Sequence, residues 1–579
     1  MNVMVASSRH QWTALLIAAA LAVGACAPGP QAAKSEATVP GQPPTRPLVI
    51  AMHVEPTTVA GRPITTSGIT PAAPTMIFNA WLVVADGQNV PRPQLAEKLP
   101  ELNTGDWRVF PDGQMETIYR LRPGLSWQDG APLTAEDVVF GWRVFSWPDL
   151  GVPSDFPIRM IQEVTAPDER TVLIRWKQPF GEAGALGTSR YGAVPPMPRH
   201  LLEPKFRAGD AQAFTNDPYW TTQFVGAGPY RLDRWEPGAF IQGSAFPGFV
   251  EGPPRIPQIR LIFLGDPNAA VANLLSGEIH LAAEDAIGFE QATVLKRQWE
   301  KSGAGIVLLT PNKARFIQIQ FKNDYVNPRA ILDFRVRRAL LEAADRASLS
   351  EAILDGDVAV AHTITGPVEE YFEDLDRGLT RYAFNPRQAE GLLSQAGYSK
   401  GGDGFFADAA GQRLAMELRA FAAEPGPQEA AILSDQWRKL GVDINTHVIP
   451  AAQSQNLEQV SAYPALRIEQ TGLTGTTAVN KLAGAAVARP ENRWGGVNRG
   501  GWINPEYDRL LDIFLSSLDR GERNRAAVDA LKIASQELPV LPLYYLSLAA
   551  AFTSSLRGPT GGYSGDTSWD NVRDWHWVS

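Results

Sequence analysis

The sequence predicts an α/β fold, because segments with helix grammar and segments with strand grammar alternate along the whole body instead of segregating into blocks. Two observations carry this expectation. Three Asp/Asn-Pro pairs each lead into an apolar stripe of helical period, and short runs of branched and apolar residues lie between them.

In chain order, Thr134-Ala135-Glu136-Asp137 has the form of a capping box, with Val138, Trp142 and Phe145 on one stripe after it. Thr171–Trp176 and Ile259–Leu264 are apolar and rich in branched residues, as strands require. Asp266-Pro267 supplies an N-cap acceptor and a proline where a missing N–H costs nothing. Ala270, Val271, Leu274 and Leu275 follow on one face, and Gly277 ends the helix in a conformation that glycine tolerates. Phe316–Phe321 alternates, with Ile317, Ile319 and Phe321 on one face and Gln318 and Gln320 on the other. Helix grammar returns at Asn385-Pro386 through Leu392, Leu393 and Gly397, and at Asn504-Pro505 with Tyr507, Leu510, Leu511 and Phe514. No internal repeat of 20–50 residues is present.

The N-terminus reads differently. Trp12–Val23 is nearly continuous apolar sequence, Arg9 is the only formally charged side chain before it ends, and Val23-Gly24-Ala25-Cys26 follows. This order resembles a lipoprotein signal, removed before Cys26 and leaving that thiol to be acylated. The alternatives are cleavage nearby by an ordinary signal peptidase, or an uncut anchor. Residues 27–47 are rich in Pro, Ala and small polar residues and cannot bury enough apolar surface to fold, so they read as a tether. The expected order is signal peptide 1–25, tether 26–47, then a body large enough for two lobes.

The net charge of −9 offers no basic stripe for nucleic acid, and a single cysteine excludes an internal disulfide. The seven histidines are scattered, with no His-x-x-x-His pair for zinc. There is no phosphate-binding loop of the Gly-x-x-x-x-Gly-Lys-Ser/Thr type and no Gly-x-Ser-x-Gly elbow. Gly401-Gly402-Asp403-Gly404 suggests a calcium loop, but Leu414 stands where the bidentate acid belongs, so a hairpin turn is expected. The expectation is no enzyme, no cofactor and no metal.

Several segments together resemble the family 5 extracellular solute-binding proteins of ABC transporters, the oligopeptide, dipeptide and nickel-binding group. Leu95–Leu99 resembles "LAESW", and Arg120–Gly130 with Leu133–Val138 resembles "LRKGVKFHDGTPLTAEDV". Val225–Tyr230 with Trp235–Gly238 is similar to "GTGPY…W.PG", and Asp266–His280 to a helix ending in "LLSGEIH". Phe334–Leu340 with Ala344-Asp345-Arg346, Asn385–Tyr398 and Leu538–Tyr544 resemble three further motifs, all in family order.

The resemblance implies a class II periplasmic-binding-protein fold with a ligand cleft between two lobes. Lobe one would hold 48–310, with an extra subdomain at about 80–215, and the C-terminal return 541–579. Lobe two would hold 311–540, with crossings near Thr310-Pro311 and Pro539. It also implies capture of a peptide-like or other small solute, delivery to ABC permease subunits, and a monomer held at the cell envelope or in the periplasm by its lipid. The rival readings are an envelope hydrolase and a ligand-sensing receptor on the same fold.

Peptide binders of the family commonly carry "W.ADY.DP" in lobe two, its Asp pairing with the peptide's α-amino group. The corresponding stretch Ala465–Thr477 has no Asp, and Glu469 is its only acid, with Arg467 two residues away. Burying an ammonium without a carboxylate partner is costly, so recognition of an α-amino group in that manner is not expected. Glu469, Thr471, Thr474 and Thr476 are expected on a cleft-facing loop. Trp494, on the glycine loop Arg493-Trp494-Gly495-Gly496, is expected either to lid a ligand or to anchor its loop. Glu55, Phe78 and Asn79 are placed near the cleft from lobe one by their position in the resembling chain.

Overall fold

The computed structural model describes residues 46–61, 72–150, 158–187, 194–283, 286–354, 360–422, 425–450, 453, 456–473, 475–562 and 568–578. The signal peptide, Cys26 and nearly all of the tether lie outside the described residues, as does Thr474.

A ten-stranded mixed sheet forms the spine. From edge to edge its strands are Asp443–Ile449, Ala415–Phe421, Leu466–Gly472, Gly305–Ile319, Val540–Thr553, Leu281–Ala282, Leu48–Met52, Gln258–Phe263, Phe240–Ala245 and Tyr230–Glu236. The two longest, Gly305–Ile319 and Val540–Thr553, are antiparallel neighbours at its centre. The strands on one side of them are buried in one pair of cores, and the strands and helices on the other side build a second pair.

These two strands change allegiance along their length. Val307 and Leu309 pack with the helices Pro267–Ser276 and Phe289–Ser302, whereas Ile317 and Ile319 pack with Phe334–Ala343 and Gly426–Leu440. Likewise Leu541, Leu543 and Tyr544 belong to the second region, and Ala549, Ala551 and Phe552 to the first. The pairing register shifts between Pro311 and Lys313, opposite Ser547 and Leu546. Proline cannot donate to a ladder, and a bulge lets the strand bend there. Pro311 stands at this bulge. The first third of the strand Val540–Thr553 is buried in the second region's cores.

Local grammar was followed closely. Asp266 Oδ1 accepts from the Asn268 amide (2.9 Å) ahead of Pro267–Ser276, and Gly277 closes it at φ 79°. Asn385 and Asn504 cap Pro386–Gln395 and Pro505–Ser516 in the same way. Asp137 accepts from the Thr134 amide at 2.8 Å and from the Arg199 amide at 3.0 Å, pinning Ala135–Phe145 to the segment that follows it in space. Gly401–Gly404 turns between Ser399–Lys400 and Phe406–Ala407, a hairpin. Gln318 and Gln320 are both buried, because helices cover both faces of that strand. Gln320 Nε2 donates to the carbonyls of Tyr463 (2.7 Å) and Ser461 (3.3 Å).

A separate four-stranded sheet of Trp107–Val109, Met115–Arg120, Thr171–Trp176 and Ile161–Asp168 lies within the span expected for the extra subdomain. Beyond it the chain reaches the second lobe. The Gly181 amide donates to the Leu515 carbonyl at 3.3 Å, and Leu518 packs against the first lobe's core. An added Cβ on Gly181 would lie 2.4 Å from Arg523 Nη1 and 2.6 Å from the Ser517 carbonyl. Burial raises the pKa of the neighbouring Glu182, and the Arg523 charge opposes that shift.

Candidate functional site

The strand Leu466–Gly472 alternates two chemistries. Leu466 and Ile468 face the core beneath Phe334–Ala343 and Gly426–Leu440. Arg467, Glu469 and Thr471 face the other way, opposite Gln318, Phe316 and Ala314, and all three are buried. Thr471 and Gly472 pair with Ala314 and Lys313, level with the bulge where the lobes join. Charged side chains on a buried face of an interior strand need partners.

Glu469 is the partner they share. Its Oε2 contacts the Arg467 guanidinium, Arg499 Nη1 at 3.3 Å and Lys481 Nζ at 3.7 Å, and its Oε1 accepts from the Gln470 amide at 3.1 Å. Burial would raise this carboxyl, but Arg467, Lys481 and Arg499 outweigh it and hold the group well below the usual carboxylate range. A fourth cation, Lys322, donates to the carbonyls of Ser461 (2.8 Å) and Ala488 (3.3 Å) and contacts no carboxylate among the described residues. Burial, then Arg467 and Arg499, push Lys322 down to about 8. Lys481 is also pushed down to about 8, by burial with Arg499 and Arg467, against the pull of Glu469.

The set therefore holds three cations on one carboxylate, with a fourth, Lys322, beside them. Arg467 also donates through Nη1 to the Val460 carbonyl at 2.6 Å and through Nη2 to Gln318 Oε1 at 3.3 Å. Three N–H groups here remain buried and without an acceptor: Arg467 Nε, Arg499 Nε and Gln318 Nε2. Such donors are rare in folded proteins and costly unless something fills them.

Trp494 is largely buried, its ring 5.0 Å from Lys322 Nζ and 5.9 Å from the Tyr325 ring centroid. Arg493 and Trp494 both adopt left-handed φ (52° and 62°), and the Trp494 amide donates to the Arg489 carbonyl at 2.9 Å. The indole lies against Lys322 under a tight turn.

The first-lobe candidates sit elsewhere. Phe78 is fully buried in the core, with Gly226, Gly228 and Gly243 packed so closely that their added Cβ atoms would meet its backbone or ring. Asn79 Nδ2 donates to the carbonyls of Val59 (2.7 Å) and Thr75 (2.9 Å). Glu55 accepts from Trp235 Nε1 (2.6 Å) and from the Gly238 amide (2.9 Å). All three hold backbone or core in place, and none of these contacts brings them to the cation set.

Lys322, Lys481 and Arg499 were not singled out from the sequence. They are up to 177 positions apart (Lys322 to Arg499) and come from segments outside the strands that pack over the buried face of Leu466–Gly472. The one available signal was Arg467 and Glu469 at i and i+2 of an apolar run, which puts both charges on one strand face. Among the described residues no three His, Cys, Asp or Glu come close enough to hold a metal, and no helix is long and apolar enough to cross a membrane.

A family model for bacterial extracellular solute-binding proteins, family 5, matches residues 91–476, more than half of the chain. The chain is 24% identical over 473 residues to the oligopeptide-binding protein AppA of Bacillus subtilis, covering 80% of each. It is 25% identical over 495 residues to the probable deoxycholate-binding periplasmic protein YgiS of Escherichia coli, covering 81% of this chain and 82% of that one. Among solved structures it superposes on the Thermus thermophilus oligopeptide-binding protein complexed with a pentapeptide at a TM-score of 0.73. That match has 24% identity and covers 92% of this chain and 96% of that one. NikZ of Campylobacter jejuni in complex with Ni(L-His) gives 0.74, with 21% identity and coverage of 92% and 99%. The two-lobed class II fold expected from the motifs is the fold of these structures.

Proposed function

Because this chain belongs to the family 5 bacterial extracellular solute-binding proteins, we propose that it is the capture component of an ABC importer. It takes up a peptide-like or other small solute outside the cytoplasm and delivers it to membrane permease subunits, acting as a monomer. The observation that carries this reading is the pair of central strands running from one set of cores into the other, with a bulge at their midpoint. Bending two strands at one level swings two rigid bodies, which suits capture by closure. A guest that touches both lobes must favour the closed state by about 5.5 kcal/mol to move it from 1:99 to 99:1.

Names of the relatives support a small organic guest, oligopeptide in one case and deoxycholate in another. The test is to purify the full chain and screen short peptides, opines, sugars and deoxycholate by thermal shift. Saturable stabilisation without turnover is expected, amounting to about 2.7 kcal/mol at a hundredfold excess over Kd. Conversion of the added compound would replace this reading with the hydrolase one.

Closure is supported by the contact between Gly181-Glu182 and Leu515–Arg523. Arg523→Ala is expected to favour the open form, giving a larger radius of gyration than wild type in solution scattering without added solute. Superimposable curves would remove this contact from the closing surface.

The proposal includes the lipid anchor at Cys26. Cys26→Ser is expected to abolish labelling by palmitate and to release the protein from the membrane fraction. Labelling that persists in the variant would disprove acylation at this thiol.

A further inference from the structure

We propose that the buried cation set formed by Lys322, Arg467, Lys481 and Arg499 around Glu469 is an anion subsite, and that it receives a carboxylate of the captured solute. This inference rests on the capture reading and names the chemical class of the guest.

The charge count is the first support. Three cations converge on a single oxygen of Glu469, and a fourth lies close enough to feel two of them, so the cluster carries an excess of three positive charges when all four are protonated. Excess charge out of water is unfavourable, and the protein's own groups do not neutralise it among the described residues. Burial first, and after it repulsion from Arg467 and Arg499, weakens the hold of both lysines on their protons.

The unfilled donors are independent of the charge count. Arg467 is fully buried, yet its Nε–H has no acceptor, and neither has Arg499 Nε nor Gln318 Nε2. A planar guanidinium presents Nε–H and Nη–H as a fork that fits the two oxygens of a carboxylate. Arg499 is the member nearest solvent, its side chain 23% exposed against 12% for Lys481 and 0% for Arg467. A guest would therefore meet Arg499 first.

Location is the third. Glu469 lies two strand positions, roughly 7 Å at strand rise, from Thr471, which pairs at the level where the lobes join. A solute held between the lobes could reach the set with one end. The same chemistry argues against a free ammonium here, since Glu469 is already shared by three cations.

The experiment uses the full chain and two peptide libraries lacking Asp and Glu, identical except that one has free C-terminal carboxylates and the other C-terminal amides. Deoxycholate is added as a non-peptide carboxylate and inorganic phosphate as a free anion, with affinities read by calorimetry. The expected result is tighter binding of a free-acid probe than of its amide by about tenfold or more, the size of a charge-assisted hydrogen bond. Arg499→Gln should erase that difference. Lys481→Gln serves the same purpose if the first variant does not fold.

Equal affinity for acid and amide would overturn the carboxylate subsite and leave the capture reading standing. Phosphate that saturates the site alone, with the same dependence on Arg499, would assign it to a free anion and also overturn the proposal. If no probe binds, mass spectrometry of the guest carried by the freshly isolated chain decides. An anionic guest supports the subsite, and a neutral or cationic one removes it. No guest at all counts against capture itself and takes the subsite with it.

Discussion

Glu429→Gln is expected to destabilise the protein by about 3–5 kcal/mol, because it breaks a buried ion pair from one side only. Glu429 is completely buried on the helix Gly426–Leu440. Its carboxylate receives Arg315 Nε at 2.9 Å, a second contact from Arg315 Nη2, and the Tyr544 hydroxyl at 2.6 Å. Arg315 also donates to Gln470 Oε1 at 3.2 Å. One carboxylate thereby ties together a helix, both long central strands and the strand that carries Glu469. In the glutamine variant the new NH2 faces a guanidinium that has only donors, and Arg315 stays buried with its charge uncompensated. Urea unfolding of the full chain measures the loss. The double variant Arg315→Met/Glu429→Leu should cost less than either single change, since it removes the charge that each single leaves behind. A single-variant loss under about 1 kcal/mol would mean that water or a nearby group neutralises Arg315.

Glu469→Gln is the second large effect and carries a pH signature. Removing the shared carboxylate leaves four cations facing one another, again a loss of about 3–5 kcal/mol near neutral pH. For Lys322 and Lys481 the folded-state value, about 8, lies below the ordinary 10.5. Below pH 8 both are charged folded and unfolded, so the repulsion is fully present. Between pH 8 and 10.5 the unfolded chain holds more protons, and stability contributed by these groups rises with pH. Without Glu469, Lys481 loses the attraction that holds its proton, so in the variant the rise starts at lower pH. The gap between variant and wild type should therefore narrow as pH rises from 7 to 10. A gap of constant size across that range would show that the lysines do not titrate against this cluster.

Both experiments concern residues whose importance was unevenly visible beforehand. The helices opening at Asp266, Asn385 and Asn504 were readable because cap chemistry is local: the acceptor, the proline and the apolar stripe lie within one or two turns. The family motifs were readable because glycines such as Gly228, whose added Cβ would lie 2.4 Å from Asn79 N, are forced by close backbone approach. Glu469 and Trp494 were singled out, but not their roles. Three cations share Glu469, and none of the three contacts can be read from its place in the sequence except that with Arg467. Phe78 is fully buried in the first lobe's core.

The amino-acid sequence alone determined the alternation of helices and strands, their caps and turns, and the two-lobed family architecture, since each depends on contacts within a few residues or on motif order. Tertiary structure alone decided that Lys481 and Arg499 share Glu469 with Arg467, that Lys322 lies beside them, and that Arg315 pairs with Glu429. Those facts depend on strand register and on which groups burial strips of water, and long-range electrostatics of that kind leaves no trace in local spacing.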